Sequence, residues 1–207
     1  MRQSEKRGAG LYLVRHAQPL VDAGICYGQL DMKADASATL TCAQALVKVL
    51  PPVITVTTST LQRCEQLAQA LLGLVPDLTV KKDTRLQEMN VGAWEGQPWA
   101  DIARAELDTW TADFAAYQPG GSGESVNAFM ARVALAFDGL PTGADTLWVT
   151  HAGVIRAVKL IASGKRHLER ADQWPVAAPA YGQWCKLDLP SATQKAPWPP
   201  IWTDNLL

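Results

Sequence analysis

The sequence has few of the residues from which metal sites and disulfide frameworks are built. Its 207 residues include four cysteines and three histidines. No C-x-x-C pair occurs among Cys26, Cys42, Cys64 and Cys185, and their spacing suits neither a zinc site nor a disulfide framework. We therefore expect reduced cysteines, as in a cytosolic protein, and we predict neither a bound metal nor another cofactor.

Long hydrophobic runs and an excess of one charge are also missing. After the basic residues Arg2, Lys6 and Arg7, the apolar run that precedes Arg15 is only four residues long. That is too short for the core of a signal peptide or for a membrane span. The formal net charge is -1, so the overall field attracts neither nucleic acid nor an anionic membrane. We expect a cytoplasmic protein that binds neither, and the sequence leaves monomer and homodimer open.

The size and the order of the predicted elements indicate one domain over residues 1–207. A chain of this length is long enough for one substantial domain and short for two. The segments predicted as strands are Leu11–Val14, Val53–Thr58, Leu78–Lys82, Thr146–Thr150 and Tyr181–Leu189. The segments predicted as helices are Thr39–Leu50, Thr60–Leu72, Trp99–Tyr117, Ser125–Leu140 and Val154–Ser163. Beyond Pro190 the sequence predicts an irregular tail.

Strands that alternate with helices predict a three-layer α/β/α sandwich around a mostly parallel sheet. Residues 97–123 interrupt the alternation, and we interpret them as a small helical cap inserted over the edge of the sheet. The glycine-rich stretch Gly120–Gly123 is interpreted as the hinge of that insertion. Ser59 or Thr60 is the predicted N-cap of the second helix.

Basic side chains stand where the predicted strands end. Arg15 and His16 follow the apolar run Leu11–Val14, and His151 follows another strand. Arg63 lies in a segment that opens a helix after a third strand. In open α/β sheets, ligands bind outside the carboxyl ends of the strands. Two histidines and two arginines at one sheet edge therefore predict a site for an anionic phosphoryl group.

These side chains suit metal-independent phosphoryl transfer. A neutral imidazole can attack phosphorus and carry the phosphoryl group covalently. Arginine forms two parallel charge-assisted hydrogen bonds to phosphate oxygens, so Arg15, Arg63 and a protonated His151 could balance the charge of the transition state. The leaving alkoxide still needs a proton. Glu88 is the leading candidate for the acid, and Glu95 is the second.

Four motifs, in this order, resemble those of the histidine phosphatase superfamily, also called the phosphoglycerate mutase-like family. They cover most of the chain, and this order makes the resemblance specific. They are Arg15-His16-Ala17, where the family has Arg-His-Gly; Ser59-Thr60-Leu61-Gln62-Arg63; Glu88 with Gly92-Ala93-Trp94-Glu95-Gly96; and His151-Ala152-Gly153.

The resemblance implies a phosphoric monoester hydrolase and a role for each matching residue. His16 would accept the phosphoryl group, and Glu88 would act first as general acid and then activate water. Arg15, Arg63 and His151, together with Ala152, would bind the phosphate. His16, Glu88 and His151 would form the catalytic set.

The chain also departs from the family. Beyond the alanine at position 17, Pro19 and Asp22 occupy positions where the family often has threonine and asparagine. A hydroxyl and an amide donor near the phosphate are therefore missing. The four core residues are unaffected.

Two further segments are similar to the α-ribazole phosphatase branch: residues 26–31, with the sequence Cys-Tyr-Gly-Gln-Leu-Asp, and residues 119–125, which carry two extra residues. This resemblance implies hydrolysis of α-ribazole 5′-phosphate, in cobalamin synthesis, through a phosphohistidine. The alternatives are a broad sugar or nucleotide phosphatase, a phosphoglycerate mutase and, from another class, a non-catalytic phosphate-binding adaptor. The presence of both a nucleophile and an acid argues against the adaptor.

Overall fold

Short segments rich in β-branched and other apolar residues form the central strands of one sheet. The computed structural model describes residues 9–177, 179–190 and 200–204. Within them, the strands are β1 Gly10–Arg15, β2 Thr55–Thr58, β3 Thr79–Lys82, β4 Thr146–Thr150, β5 Trp184–Asp188 and β6 Ile201–Asp204. The α-helices are α1 Ala36–Val47, α2 Gln62–Leu74, α3 Arg104–Ala112, α4 Val126–Asp138 and α5 Ala152–Ala162.

The order of strands in the sheet is β3-β2-β4-β1-β5-β6. The first four are parallel to one another, while β5 and β6 run antiparallel to their neighbours. This confirms the prediction of a mostly parallel sheet. Both β1 and β4 lie in the interior of the sheet, so the segments that follow them leave the same edge side by side.

The two faces of the sheet bury two separate clusters of side chains. On β1, Leu11 and Leu13 pack with residues of α4 and α5, whereas Tyr12 and Val14 pack with residues of α1 and α2. Successive side chains of a strand point to opposite faces, so a continuous apolar strand contacts helices on both sides. The three-layer arrangement is confirmed.

The segment after Pro190 is not irregular throughout, as the sequence predicts. Residues 201–204 form β6, which pairs with β5 so that Trp202 lies opposite Leu187. A four-residue edge strand carries too little periodicity to be recognised from the sequence, because its main stabilisation is the hydrogen-bond ladder to its neighbour. The remainder of the predicted tail, residues 191–199 and 205–207, lies outside the described residues.

The predicted helix Trp99–Tyr117 is broken into smaller elements. A 3-10 turn covers Trp99–Asp101, and α3 begins only at Arg104. Between them, Ile102 has an extended backbone and is buried in a cluster with Cys26, Val91 and Trp94. Packing of this side chain outweighs the local preference for a continuous helix. That residues 97–123 act as a cap over the site stays a prediction.

Gly120 takes part in a close backbone contact, and its role as a hinge stays a prediction. The 3-10 turn Pro119–Gly121 packs on another turn, Gly92–Trp94. A Cβ atom on Gly120 would lie 2.3 Å from the backbone nitrogen of Ala93, and the φ angle of Gly120 is +59°. The glycine is needed because the two backbones touch and because this φ is strained for other residues. None of the helices in the described part of the chain combines the length and apolar character needed to cross a bilayer.

Candidate active site

Two histidines meet where adjacent parallel strands end. Arg15 of β1 lies opposite Thr150 of β4, so the next residues, His16 and His151, emerge together. Their ring centroids are 5.1 Å apart, and both side chains are buried. Ser59 follows β2, the other neighbour of β4, and its Oγ lies 2.8 Å from His151 Nε2. The pairing of the strands thus brings three distant segments to one point.

The hydrogen bonds of His16 determine where its proton lies. Its Nδ1 is 2.7 Å from the carbonyl oxygen of Ala17; a carbonyl only accepts, so Nδ1 carries the proton. Nε2 is then the acceptor for the Nε–H of Arg63, at 3.3 Å. Burial, followed by the charge of Arg63, lowers the pKa of His16 to about 3. His16 is therefore a neutral imidazole with a lone pair on Nε2.

His151 is neutral when no anion is bound beside it; the expectation that it is protonated with phosphate bound stays a prediction. Burial lowers its pKa well below the ordinary value, and the positive charge of Arg63 acts in the same direction. Besides Ser59, the Sγ of Cys64 lies 3.5 Å from Nε2. The hydrogen-bond partners of its ring among the described residues, Ser59 and Cys64, include no carboxylate to offset the cost of burying an imidazolium. The depth of burial could not be read from the sequence.

Arg63 is fully buried in the first turn of α2. Its Nη1 donates to the carbonyl of Leu30 at 2.9 Å, and its Nη2 donates to the carbonyl of Gly28 at 2.6 Å. With the Nε–H that donates to His16, three of its five N–H groups have protein partners. Within the described part of the chain, the other two N–H groups have no protein partner, and they are candidate donors to an anion.

The start of α2 differs from the prediction. The N-cap is Leu61, which has no side-chain cap, rather than Ser59 or Thr60. The backbone N–H of Gln62 donates instead to the carboxylate of Asp31, at 2.7 Å. The side chain of Asp31, 31 positions away, thus satisfies one N–H group that has no partner within the helix. The Oγ of Ser59 accepts the backbone N–H of Leu61 at 3.4 Å and also contacts His151.

The guanidinium of Arg15 is held beside an aromatic ring. Its Cζ lies 3.7 Å from the centroid of Tyr181, and its Nη1 donates to the carbonyl of Pro179 at 3.0 Å. Its Nε is buried and has no hydrogen-bond partner among the described residues. A buried donor without a partner is costly, which makes this N–H a candidate donor to an anion.

Tyr181, which was not predicted to belong to the site, lies beside His16 and contacts Tyr27. The ring of Tyr181 lies 5.6 Å from that of His16, and its hydroxyl lies 2.6 Å from the hydroxyl of Tyr27. The signal that could have found Tyr181 is the antiparallel pairing of β5 with β1. The start of an antiparallel neighbour lies at the same sheet edge as the end of β1.

The carboxylate of Glu88 reaches the N-terminus of α5. Its Oε2 accepts the backbone N–H of Gly153 at 3.0 Å, and its Oε1 accepts that of Met89 at 3.1 Å. N–H groups in the first helical turn have no partner within the helix. A Cβ on Gly153 would lie 2.1 Å from Glu88 Oε1, so this glycine makes room for the carboxylate. Ala152 is the first residue of α5, directly after His151.

The structure therefore brings a neutral histidine, two arginines, a second histidine and a carboxylate to one sheet edge. The family model of the histidine phosphatase superfamily, branch 1, matches residues 11–195. The chain belongs to this superfamily. Solved phosphatase structures share its fold, and the protein is a phosphoric monoester hydrolase.

Three solved structures illustrate the likeness. The native structure of a mycobacterial glucosyl-3-phosphoglycerate phosphatase is 28% identical with a TM-score of 0.69, covering 87% of this chain and 90% of that one. Its complex with inorganic phosphate has the same identity and TM-score and covers 86% and 89%. A protein from Thermus thermophilus is 28% identical with a TM-score of 0.66, covering 88% and 95%. No curated protein matches the sequence.

The departures of this phosphatase from the family pattern have different consequences. Ala17 in place of glycine is tolerated because its backbone carbonyl, not its side chain, accepts the Nδ1 proton of His16. Pro19 forms an isolated bridge with Ala34, and Asp22 is exposed. Neither residue supplies the donor that threonine or asparagine would offer.

Arg132, on α4, was also missed, although it holds the segment that carries Glu88. Its Nη1 donates to the carbonyls of Arg85 and Gln87, at 2.8 and 3.1 Å. Its Nε and Nη2 donate to the carboxylate of Glu124, at 2.9 and 2.7 Å. The residue pairs with Glu124 at the end of the glycine-rich segment, and only the tertiary fold brings both to the Glu88 loop.

The second acid candidate, Glu95, has both carboxylate oxygens engaged in hydrogen bonds to the backbone. Its carboxylate accepts four backbone N–H groups, from Gly28, Gln29, Leu30 and Val91. This leaves Glu88 as the candidate acid of the phosphatase. In the described ranges, no three His, Cys, Asp or Glu side chains are grouped so that they could hold a metal ion, and the four cysteines are buried and free.

Acidification is expected to destabilise the folded phosphatase between pH 6.5 and about 3. The unfolded chain protonates His16 near its ordinary pKa of 6.5, whereas the folded chain does so only near 3. Because the unfolded state binds more protons in this range, the free energy of unfolding falls with the pH. The slope is up to about 1.4 kcal/mol per pH unit for each such histidine, and His151 acts in the same direction. Urea unfolding at pH 7, 6 and 5, without phosphate, measures this change in the free energy of unfolding.

The exposed His167 provides the control, since replacing it leaves both buried imidazoles in place. His167→Gln should show the same loss of stability with acid as the unmodified protein. His16→Asn should show a shallower loss. Equal slopes for His16→Asn and the unmodified protein would contradict the assignment of a neutral, buried His16.

Proposed function

We propose that the protein hydrolyses phosphomonoesters through a phosphohistidine on His16. The observation that supports this most is the neutral imidazole, whose Nδ1 proton is held by Ala17 and whose Nε2 lone pair lies beside Arg63. Nε2 attacks phosphorus, so a P–N bond forms while the bond from phosphorus to the leaving oxygen breaks. Glu88, in its protonated form, gives its proton to that oxygen.

The second step returns the enzyme to its starting state. Water attacks the phosphohistidine, and the Glu88 carboxylate takes a proton from it. The P–N bond breaks, inorganic phosphate is released, and His16 is again neutral. The acid of the first step is thus the base of the second, and no proton is gained or lost by the enzyme over the cycle.

The positive charge that this reaction needs is supplied by arginine. Arg15 has a buried Nε–H without a partner among the described residues, and Arg63 has two N–H groups left beyond its protein contacts. These donors suit the equatorial oxygens, whose charge must be balanced in the transition state. We propose that a bound phosphate dianion also protonates His151, because an opposite charge nearby favours the charged form. Ala152 would add a backbone N–H, and no metal is required.

The proposed substrate is α-ribazole 5′-phosphate, within cobalamin synthesis. Support comes from the similarity of residues 26–31 and 119–125 to that branch. The ring of Tyr181 lies 5.6 Å from that of His16, and its hydroxyl contacts that of Tyr27; we propose that these aromatic side chains contribute to packing of the base. We further propose that residues 97–123 cap the site and that the protein acts in the cytoplasm, as a monomer or homodimer, on a small phosphorylated substrate.

A second candidate substrate is a phosphoglycerate ester of a sugar. It is favoured by the mycobacterial structures, whose protein is named a glucosyl-3-phosphoglycerate phosphatase. Arg156, half-buried on α5, donates to the carbonyls of Val176 and Ala177, and it offers a cation that a carboxylate of such a substrate could approach.

A turnover screen with and without a chelator tests these assignments. The expected result is phosphate release at an unchanged rate in EDTA, with the highest kcat/KM for α-ribazole 5′-phosphate. A higher kcat/KM for glucosyl-3-phosphoglycerate would favour the second candidate, and a flat profile would favour a broad sugar or nucleotide phosphatase. Complete loss in EDTA, restored by Mg²⁺ or Zn²⁺, would contradict metal independence. Faster isomerisation of 3-phosphoglycerate than phosphate release would indicate a mutase, and binding without turnover an adaptor.

A further inference from the structure

One short loop is held from one side by the carboxylate of Glu95. Its Oε2 accepts the backbone N–H groups of Gly28 and Leu30, at 2.8 and 2.9 Å, and its Oε1 accepts that of Gln29 at 2.8 Å. Three consecutive residues thus donate to one side chain, 65 to 67 positions away in the chain. We refer to these residues as the Gly28–Leu30 loop. A fourth N–H, from Val91, completes the set at 3.1 Å.

The carbonyl groups of the same loop hold Arg63. Gly28 and Leu30 accept from its Nη2 and Nη1, at 2.6 and 2.9 Å. The loop therefore lies between a carboxylate, which its N–H groups contact, and a guanidinium, which its carbonyls contact. Each charge polarises the peptide groups in the direction that favours the other.

We infer that Glu95 is a positioning residue that sets the place of the Arg63 guanidinium beside His16, acting through the Gly28–Leu30 loop. The inference rests on the proposed function, in which Arg63 binds the phosphoryl group. A carboxylate paired directly with Arg63 would neutralise it and occupy donors that the phosphate needs. Glu95 instead contacts the loop and not Arg63 itself. It fixes the carbonyls of Gly28 and Leu30 and leaves the remaining N–H groups of Arg63 free for phosphate.

Glu95→Gln is the variant that tests this. The amide keeps the shape of the side chain but replaces one acceptor oxygen with an NH₂ group, which faces N–H groups that cannot accept from it. The loop must shift, and the guanidinium shifts with it. Since a displacement of about 1 Å can cost on the order of 100-fold in a catalytic site, we expect phosphate to bind about 10- to 100-fold more weakly.

Glu106→Gln is the matched control. The carboxylate of Glu106 accepts the indole N–H of Trp94, the residue directly before Glu95, at 2.7 Å. An amide oxygen can accept the same bond, and Glu106 makes no hydrogen bond to the Gly28–Leu30 loop. Phosphate affinity in this variant should stay within about twofold of the unmodified protein, a difference well below that expected for a displaced guanidinium.

The experiment is a double-mutant cycle on the whole protein, with inorganic phosphate titrated by calorimetry and kcat/KM measured for p-nitrophenyl phosphate. If Glu95 acts through Arg63, Glu95→Gln should lower both the affinity for phosphate and kcat/KM when Arg63 is present. In an Arg63→Ala background, the same substitution should change each of them by less than about threefold. An equal fold-loss of affinity and kcat/KM in both backgrounds, or no effect of Glu95→Gln, would overturn the inference.

Two further measurements separate failure of the inference from failure of the proposed function or of folding. Glu95→Asp retains the charge and both oxygens, so it should fold and lose less phosphate affinity than Glu95→Gln; a larger loss would count against the inference. Failure of the unmodified protein to bind phosphate would refute the proposed function instead. Circular dichroism of each variant establishes that the fold is intact.

Discussion

Replacing His16 with alanine is expected to abolish the covalent phosphoenzyme and to lower turnover by at least ~10⁴-fold, on the order of 5–6 kcal/mol of barrier. The reason is that the proposed reaction begins on the Nε2 lone pair of this imidazole, and alanine offers no nucleophile. Rapid quench with a ³²P-labelled monoester, under conditions that preserve acid-labile phosphohistidine, measures both the intermediate and the rate.

His167→Ala serves as the control for this loss. His167 is exposed, so its removal should leave the intermediate and the turnover unchanged. His16→Asn keeps a polar side chain of similar size and should be as inactive as the alanine variant. A His16 variant that retains near-normal turnover would refute the phosphohistidine mechanism.

Glu88→Gln is expected to separate the two chemical steps. An alkyl phosphate needs a proton on its leaving oxygen, whereas p-nitrophenolate leaves without one. The amide cannot donate that proton or activate water, each a contribution of about 10² to 10⁴ in rate. With p-nitrophenyl phosphate we therefore expect a burst of about one p-nitrophenolate per enzyme, followed by slow turnover and accumulated phosphoenzyme. With an alkyl phosphate we expect no burst.

Stopped-flow absorbance and quenched-flow labelling check the two halves of this prediction. The amide of the Glu88→Gln variant keeps one oxygen to accept the N–H of Gly153, as the carboxylate of Glu88 does at 3.0 Å, but it loses the bond from the N–H of Met89. Circular dichroism of the variant therefore accompanies the kinetics. A burst of equal size with both substrates would show that Glu88 is not the acid. Normal steady-state turnover with either substrate would show that it is not the base.

Much of the sheet could be predicted because its strands carry strong local signals. β4 coincides with the predicted Thr146–Thr150, and the β1 prediction differs by one residue at each end. Both strands are short, largely apolar runs that are buried on both faces of the sheet. The convergence of His16 and His151 followed from the rule that parallel strands end at a common edge.

Other features depend on contacts between distant segments. Ile102 interrupts the predicted helix because its side chain fills a cluster made by residues elsewhere in the chain. The neutrality of His151 results from complete burial, which the types of its neighbours do not reveal. Arg132 looks like an ordinary helical arginine until the carbonyls that it contacts are known. Local patterns carry none of this information.

Arg15 and Arg63 have no carboxylate partner in the described ranges; their contacts are to carbonyl groups, an imidazole and an aromatic ring. Because this charge is uncompensated, any dianion that fits beside it is stabilised. Orthophosphate satisfies the two cations as well as an ester does, so under the proposed mechanism the enzyme retains its own product. Product inhibition and a melting temperature that rises with orthophosphate are thus both expected, because each results from orthophosphate binding to these two arginines.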